Sequence, residues 1–168
     1  MNSKRVLETN RLYLRRLTVE DAENAYRLNL DSKVIQYTGD DSFESIETAR
    51  QFLANYSHYD QYDFGRWAVI RKDNDEFLGW CGLKYTPELN EYDIGFRFLQ
   101  KYWNQGYATE AAEACIDLGF NHYKLAKIVG RVRKENIASI RVLEKIGLTY
   151  TRDFDFDGNE GVIYSIKR

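Results

Sequence analysis

The sequence predicts one domain, residues 1–168, with an α/β fold of the α+β type: a mixed, mostly antiparallel central sheet with a parallel βαβ-like centre and about four helices. Three observations predict this fold. Apolar residues switch between strand and helix periods in the order strand, two helices, three strands, helix, strand, helix and hairpin. The single proline, Pro87, and the lack of any Gly/Ser-rich tract leave no linker. The length of 168 residues suits one domain with a real core.

The N-terminal part of the chain predicts a strand followed by two helices. Residues 11–17 alternate Leu12 and Leu14 with polar neighbours, which is typical of a half-buried strand. Thr18, followed three positions later by Asp21, is a helix-start signal that resembles a capping box. The second helix is predicted from apolar residues at helical spacing, namely Ile46, Ala49, Leu53 and Tyr56.

The centre of the chain predicts a meander and a crossover. Its three strands are expected at residues 66–71, 77–85 and 91–99. A helix follows Gly106 and leads to another strand at residues 127–133. Because consecutive elements usually neighbour in space, strands 91–99 and 127–133 are expected to lie side by side and parallel, with the helix crossing one face of the sheet.

The C-terminal part predicts one more helix and a closing hairpin. Asn136 is suited to the N-cap of the helix, and Gly147 is suited to the left-handed position that follows its last turn. The final hairpin is predicted to turn at Asp157 and Gly158, between two runs of strand character.

Composition excludes several classes of function. The net charge of −2 gives no reason to expect a nucleic-acid partner, and no apolar run reaches the length of a membrane span. The N-terminus lacks the apolar core of a secretory signal, so a cytoplasmic location is expected. The two cysteines form no CxxC motif, and His58 and His122 lie far apart, so no metal site is predicted and the histidines are interpreted as ordinary surface or edge residues.

The stretch YWNQGYATEAAEACIDLGF, residues 102–120, joins an aromatic loop to a helix whose apolar face is made mostly of small residues. A helix N-terminus has free N–H groups and carries about half a positive charge, so it can hold an anion without a charged side chain. Gly106 has no Cβ to block the approach. The sequence therefore predicts an anion cradle at residues 106–109, although a single glycine there is also compatible with a simple tight turn.

Four stretches resemble the GNAT superfamily of acetyl-CoA-dependent acyltransferases: ETNRLYLRRLTVEDA, GWCGL, YWNQGYATEA and NIASIRVLEKIGL. They occur in the family's order over nearly the whole chain. Gly106 and Ala108 match the last two positions of the family signature Gln/Arg-x-x-Gly-x-Gly/Ala. Trp103 departs from its first position and is typical of a branch that looks like the Rim-type protein N-terminal acetyltransferases.

The resemblance implies a set of cofactor contacts. The backbone of Phe98 and Leu99 would pair with the pantetheine arm of acetyl-CoA, Asn136 would lie beside that arm, and Ser139 would lie near the sulfur. The residues implied for the pyrophosphate are Gln105, Gly106, Tyr107, Ala108 and Thr109. Asn136 is also explained by helix capping without a ligand, and Ser139 also fits an ordinary helix-surface serine.

The implied chemistry is direct attack of a neutral amine on the thioester, with an oxyanion stabilised by a backbone donor near Phe98. Ser139 is the candidate acid, and a tyrosine is the alternative. Glu91 and Asp93 share one face of their strand and are the candidate bases, although both also suit a solvated edge. Cys81 is the candidate nucleophile if an acyl-enzyme forms, whereas Cys115 is assigned to the core.

The acceptor is left open between a protein or peptide N-terminal amine and a small amine such as a polyamine, an amino acid or an antibiotic. Acidic residues expected beside the acceptor are Asp40, Asp41, Glu44 and Glu47, which would favour a cationic amine or simply form a polar loop. Basic residues that could meet the cofactor's phosphates or form a solvated face are Arg131, Arg133, Lys134 and Arg141. A non-catalytic acyl-CoA-binding module and a protein-interaction domain are the alternatives of another class, and a monomer or a homodimer is expected.

Overall fold

A computed structural model describes residues 4–168 of the chain. In this part, a mixed sheet of eight strands has the order β1-β2-β3-β4-β5-β6-β8-β7. The strands are β1 (Arg5–Glu8), β2 (Leu12–Arg16), β3 (Arg66–Arg71), β4 (Phe77–Thr86), β5 (Glu91–Phe98), β6 (Lys127–Arg133), β7 (Thr149–Phe156) and β8 (Asn159–Lys167). The helices are α1 (Ala22–Leu30), α2 (Ser32–Ile35), α3 (Ile46–Ala54), α4 (His58–Tyr62), α5 (Tyr107–Asn121) and α6 (Ile137–Lys145), with short 3₁₀ turns at Val19–Asp21 and Gln100–Tyr102.

The predicted fold class is confirmed, since the pairings are antiparallel except that of β5 with β6. The four predicted helices correspond to α1, α3, α5 and α6. The short elements β1, α2 and α4 were not predicted. They span four or five residues each, too few to show a period. None of the helices within residues 4–168 combines the length and the apolar character needed to cross a bilayer.

Local sequence signals mark where helical segments begin and end. The Thr18 hydroxyl accepts a hydrogen bond from the N–H of Glu20, and the Asp21 carboxylate accepts one from the N–H of Thr18. This reciprocal arrangement is the capping box that the sequence predicts. At the other end of the chain, Gly147 follows α6 with φ of 99°, in the left-handed region where a Cβ would be strained.

Helices cover both faces of the sheet. Adjacent residues of a strand point to opposite faces, and β4 shows this at two positions. Cys81 contacts Cys115 of α5, whereas Trp80 faces a cavity that is lined by residues of α1. The α5 helix lies close to the sheet because its packed face is small: a Cβ added at Gly119 would come within 2.9 Å of Ile128 Cδ1.

The core lies between the sheet and α5, and Trp67, Leu14 and Leu83 are among its fully buried side chains. Full burial of a large apolar side chain stabilises the fold by about 1.5–3 kcal/mol. A second, smaller cluster joins α1 to α3 through Ala22 and Ala49. The two helices thus form a separate layer above β3, β4 and β5.

Strands β5 and β6 part after a single paired position, Asp93 opposite Val129. Strand β5 continues to Phe98 and β6 continues to Arg133, so a gap opens between their carboxyl ends. Backbone groups alternate in direction along a strand, and the N–H of Leu99 donates to the carbonyl of Leu78 in β4. The backbone groups of Phe96 and Phe98 therefore point away from β4, into this gap.

Candidate active site

The N-terminus of α5 is built around Gly106, which is the N-cap residue and has φ of 80°. No side chain caps this first turn, and the first bond of the helix runs from the N–H of Glu110 to the carbonyl of Gly106. Gly106 and Gln105 are exposed, whereas Tyr107 is buried. The positive φ explains the glycine, and the uncapped turn presents N–H groups that suit an anion.

Arg11, at the start of β2, holds this turn from the side. Its N–H and its Nε donate to the two oxygens of Glu110, at 2.8 Å and 2.7 Å, and its Nη1 donates to the carbonyl of Gln105 at 3.0 Å. Its guanidinium lies 4.2 Å from the centre of the Tyr107 ring. A Cβ added at Gly106 would lie 3.3 Å from Arg11 Nη2, so a positive charge borders the turn.

Glu110 is the anion that anchors Arg11. Burial alone would raise the pKa of its carboxyl, but hydrogen bonds from the Thr9 hydroxyl and from the N–H and guanidinium of Arg11 outweigh burial and lower that pKa below its ordinary value. The carboxylate is therefore a stable partner at neutral pH, and it ties the first turn of α5 to β2.

The gap beside β5 is bordered by Trp103, whose indole N–H donates to the carbonyl of Phe98 at 2.8 Å. Leu99 is half-buried and lines a cavity of about 240 Å³ together with Phe77 and Tyr102. Of the gap-facing groups, the N–H and carbonyl of Phe96 and the N–H of Phe98 are the ones that Trp103 leaves to a ligand strand.

The start of α6 packs near α5 and carries the other two predicted cofactor residues. The side-chain oxygen of Asn136 accepts a hydrogen bond from the N–H of Ser139 at 3.3 Å, so Asn136 is the N-cap that the sequence predicts. Ser139 is half-buried.

Glu91 and Asp93 lie on the face of β5 that is turned away from α5. Asp93 is buried and accepts hydrogen bonds from Arg66 Nη2 at 2.5 Å and from Arg131 Nη1 at 3.2 Å. Glu91 lies 3.1 Å from Arg131 Nη2. Arg131 thus bridges the two carboxylates across the junction of β5 with β6, and the predicted pair shares one face.

A cavity of about 270 Å³ lies on this same face, between the sheet and the layer of α1 and α3. Its lining residues are Leu17, Ala25, Leu28, Asn29, Asp40, Asp41, Phe43, Phe52, Leu53, Tyr56, Arg66, Phe77, Trp80 and Arg97. Arg97 lines the cavity, while its neighbours Phe96 and Phe98 present backbone groups to the gap. The cavity and the gap therefore meet at one segment of β5.

The predicted acidic cluster divides in the structure. Asp40 and Asp41 line the cavity, whereas Glu44 and Glu47 do not. Asp40 accepts a hydrogen bond from Arg97 Nη2 at 2.7 Å. Glu47 pairs instead with Arg50 on the exposed surface of α3.

Two members of the predicted basic cluster, Arg131 and Arg133, have side-chain partners within the protein. Arg133 donates to Asn159 Oδ1 at 3.1 Å and to the carbonyl of Gln36 at 3.4 Å, and its guanidinium lies over the Tyr37 ring. Arg133 therefore joins the end of α2 to the final hairpin.

The two cysteines meet inside the core, with 3.8 Å between the sulfur atoms of Cys81 and Cys115. Both are free thiols and fully buried. Burial, followed by the adjacent Cys81, raises the pKa of the Cys115 thiol well above its ordinary value. The position of Cys115 in the core agrees with its assignment from the sequence.

His58 makes two structural hydrogen bonds. Its Nε2 accepts from the N–H of Tyr85 at 3.0 Å, so its Nδ1 carries the proton and donates to the carbonyl of Phe64 at 2.6 Å. This places His58 in a packed junction between α4 and β4. Across residues 4–168, no group of three or more His, Cys, Asp or Glu side chains is arranged to hold a metal ion.

A family model described as an acetyltransferase (GNAT) domain matches residues 11–149 of this chain. The chain belongs to the GNAT acetyltransferase family. Similar proteins include one named uncharacterized protein YkkB of Bacillus subtilis, 35% identical with 90% of both chains covered. They also include the N-acetyltransferase YnaD of the same species, 35% identical with 84% of this chain and 81% of that protein covered.

Solved GNAT structures agree with this membership. A GNAT-family acetyltransferase from Bacillus anthracis superposes with a TM-score of 0.83 at 30% identity, covering 96% of this chain and 97% of that one. The ribosomal L7/L12 α-N-protein acetyltransferase RimL, in complex with coenzyme A, has a TM-score of 0.81 at 16% identity with 98% of both chains covered, and this likeness shows the shared fold. The resemblance predicted from the sequence is confirmed, and this GNAT protein is an acetyltransferase.

The GNAT fold brings the predicted residues to three places. Residues 105–109, together with Phe98, lie at the gap side, Asn136 and Ser139 lie at the start of α6, and Glu91 and Asp93 lie on the cavity face. Sequence reasoning missed Arg11, Arg66 and Arg97, because each acts on a partner that is distant in the chain. No local pattern marks these arginines; the family stretch that contains Arg11 is the one signal that could have pointed to it.

Proposed function

We propose that this GNAT protein is an acetyl-CoA-dependent N-acetyltransferase, formed by residues 1–168 as a single domain, that transfers an acetyl group to a primary amine by direct attack on the thioester. The observation that carries the proposal is the uncapped turn at Gly106 beside the gap between β5 and β6, with a cavity on the face of β5 that is turned away from α5. Cofactor and acceptor would thus approach one segment of β5 from two sides.

The cofactor is assigned to the gap and the turn. The N–H groups of Gly106, Tyr107, Ala108 and Thr109 would hold the pyrophosphate, with Arg11 adding a positive charge at the side. Gln105, whose amide donates to the carbonyl of Lys101, would shape the loop. The pantetheine arm would pair with the gap-facing backbone of Phe96 and Phe98, next to the start of α6 at Asn136. The backbone of Leu99, which the family resemblance also assigned to the arm, is already bonded: its N–H donates to the carbonyl of Leu78, and its carbonyl accepts from the N–H of Tyr102. Acetyl-CoA supplies the activated acetyl group.

The chain's own groups supply the rest of the chemistry. A gap-facing N–H of β5 is the proposed donor to the oxyanion. Glu91 and Asp93 are the proposed proton acceptors, through water, because both lie on the cavity face close to where β5 and β6 part. Ser139 is the proposed proton donor to the leaving thiolate. A positioned acid or base typically contributes about 10²–10⁴-fold to the rate.

The leading acceptor is the N-terminal amine of a protein or peptide, in line with the ribosomal-protein acetyltransferases among the fold neighbours. A small amine is the second candidate, favoured by the bounded cavity of about 270 Å³. A relative named spermidine N(1)-acetyltransferase from Escherichia coli, 27% identical with 81% of this chain covered, also supports it. A cytoplasmic location, where acetyl-CoA is available, is part of the proposal, as is a monomer or a homodimer.

The test uses a matched pair of glycine variants. Gly106 and Gly158 have φ of 80° and 85°, and a Cβ at Gly158 meets nothing within 4 Å. Both Gly106→Leu and Gly158→Leu therefore carry similar backbone strain, but only Gly106→Leu fills the turn. Calorimetry should show CoA affinity at least about tenfold weaker for Gly106→Leu, which corresponds to about 1.4 kcal/mol, and unchanged for Gly158→Leu.

Turnover is measured with acetyl-CoA, a panel of amines and peptides, and a thiol reagent that detects free CoA. Release of CoA that depends on an amine is expected. CoA binding without release for any acceptor would favour the non-catalytic acyl-CoA-binding module. Equal CoA affinity for Gly106→Leu and the wild type would show that the turn at α5 is not the phosphate site.

A further inference from the structure

We propose that the acceptor is an amine with one positive charge, attached to an apolar or aromatic body, and that a polyamine is a poor substrate. This inference rests on the proposed function and deepens it. It is drawn from the walls of the cavity between the sheet and the layer of α1 and α3, defined above by its lining residues, and from the way the charges in those walls are matched.

The walls are dominated by apolar and aromatic side chains. The rings of Phe43 and Phe52 lie 5.6 Å apart, and those of Phe52 and Tyr56 lie 6.4 Å apart, so they form a continuous aromatic side. Phe52 is 55% exposed although it lines the cavity. Covering this ring with an apolar group is favourable, and an aromatic group adds a ring–ring contact to the area buried.

The two arginines at the base of the cavity already have partners. Arg97 donates to Asn29 Oδ1 at 2.8 Å and to Asp40, and Arg66 pairs with Asp93 at 2.5 Å. Both guanidiniums lie near the Trp80 ring, at 5.2 Å and 5.3 Å from its centre. Both arginines at the bottom of the cavity are therefore paired and packed, so this end of the cavity is not an open site for an anion.

Asp41 is the lining group whose charge is left unmatched. It forms no ion pair or hydrogen bond with any other described residue. Its neighbour Asp40 contacts Arg97 of β5, and both aspartates line the cavity. One carboxylate there can attract one ammonium group toward the segment of β5 where transfer is proposed.

A second ammonium group would have no partner. Besides Asp41, the lining carboxylate is Asp40, and its charge is already paired with Arg97. Most of the other walls are apolar, and burying an unpaired charge against them is costly. The same cavity therefore accepts an apolar body and excludes a polycation.

The experiment compares kcat/KM for 2-phenylethylamine and putrescine, two amines of similar length. Phenylalaninamide and a peptide that begins with phenylalanine are added, so that a small amine and a peptide N-terminus are distinguished. We expect the aromatic amines to exceed putrescine by at least about tenfold, the ratio that about 1.4 kcal/mol of differential binding gives. Putrescine used as well as, or better than, 2-phenylethylamine would overturn the inference while leaving the acetyltransferase proposal intact.

Two pairs of variants locate the effect. Phe52→Ala should lower kcat/KM for 2-phenylethylamine by about tenfold and leave putrescine unchanged, whereas Leu30→Ala, equally exposed but outside the cavity, should change neither. Asp41→Asn should raise KM for all amines, and Glu88→Gln, an exposed carboxylate in the turn after β4, should not. Equal losses for both amines in Phe52→Ala would contradict the aromatic wall. CoA binding with no amine acetylated would instead refute the proposed function.

Discussion

Arg11 joins parts of the molecule that are 99 positions apart in the chain. Its contacts reach Glu110 and the Gln105 carbonyl, on both sides of the turn at Gly106. A residue at this place has two effects that can be separated: it anchors α5 to β2, and it adds a positive charge beside the proposed pyrophosphate. Only the second effect depends on CoA.

Replacing Arg11 by methionine should weaken CoA binding and lower the free energy of unfolding, because Glu110 loses its charge partner and the hydrogen bond from Nε, and the Gln105 carbonyl loses the bond from Nη1. A hydrogen bond to a charged group contributes about 1.5–3 kcal/mol. The matched control is Arg5→Met, which removes an exposed pair with Glu8 and a ring contact with Tyr13 but touches neither α5 nor the gap. Urea unfolding and calorimetry with CoA measure the two effects. If both variants bind CoA equally, Arg11 has no part in the site.

Asp21 is a buried carboxylate in the N-terminal part of the chain, and several hydrogen bonds hold it. It is 2% exposed, and it accepts hydrogen bonds from both terminal nitrogens of Arg15, at 2.8 Å and 2.9 Å, and from the N–H of Thr18. Burial would raise its pKa, but the bonds from Arg15 and Thr18 prevail and lower the pKa below its ordinary value of 3.8. A lowered folded pKa contributes stability that is present above 3.8 and is lost as pH falls through the folded value.

The free energy of unfolding should therefore decrease in acid, below about pH 4, as Asp21 takes up a proton. Asp21→Asn should be less stable at pH 7 by about 3 kcal/mol, because it leaves Arg15 without its partner, and should lose less on acidification. Glu23→Gln, which removes an exposed pair with Arg27, is the control and should behave like the wild type. Chemical unfolding at pH 7 and pH 3.5 measures both effects. Parallel losses for the wild type and Asp21→Asn would show that another group controls acid stability.

At the scale of elements, the sequence predicted those that are long enough to repeat a pattern. Strand β2 and helix α3 were predicted from their periods, and Asn136 and Gly147 marked the ends of α6. The turn at Asp157 and Gly158 was predicted because both residues tolerate positive φ, and the structure has 50° and 85° there. Helices α2 and α4 are single turns held by their surroundings, so their sequences carry no signal of their own.

For a related reason, the sequence predicted the turn of the proposed site but not its cavity. The turn at Gly106 depends on neighbouring residues, and these stand together in the sequence. The cavity is assembled from α1, α3, β3, β4 and β5, and its charge balance depends on pairs such as Arg97 with Asp40, which are 57 positions apart. Such pairs leave no local pattern, so only the fold shows that Asp41 differs from its neighbours.

Helix α5 packs on β4 through the two cysteines, and variants at these positions can distinguish a packing role from a catalytic role. Buried thiols without a base nearby are inert, so Cys81→Ala and Cys115→Ala should keep full turnover. Cys115→Leu should instead destabilise the protein by about 1–3 kcal/mol, since it inserts extra methylenes where the sulfur atoms are 3.8 Å apart. Amine-dependent CoA release and thermal unfolding measure the two outcomes. Loss of turnover in Cys81→Ala with unchanged stability would indicate an acyl-enzyme.

The whole molecule consists of two parts that meet at the gap. Strands β1–β5 form one part and β6–β8 the other, and the backbone ladder between them is limited to Asp93 opposite Val129. Side chains reinforce this junction: Arg131 reaches Glu91 and Asp93, and Arg133 reaches the carbonyl of Gln36. A ligand strand in the gap would add a third connection, by pairing with β5 while its phosphates meet α5.

Hydrogen exchange tests this connection directly, because the direction in which each backbone N–H points predicts which amides a ligand strand would protect. The N–H groups of Phe96 and Phe98 point into the gap, and those of residues 106–109 lie at the uncapped turn, so saturating CoA should slow exchange at both places. Amides of β3, which is paired on both sides, should be unaffected and serve as the internal control. At 100 times Kd the ligand should also raise the free energy of unfolding by about 2.7 kcal/mol. Protection confined to residues 106–109 would show that the phosphates bind as proposed while the pantetheine arm does not pair with β5, and the placement of the reacting carbonyl near Phe96 and Phe98 would then be wrong.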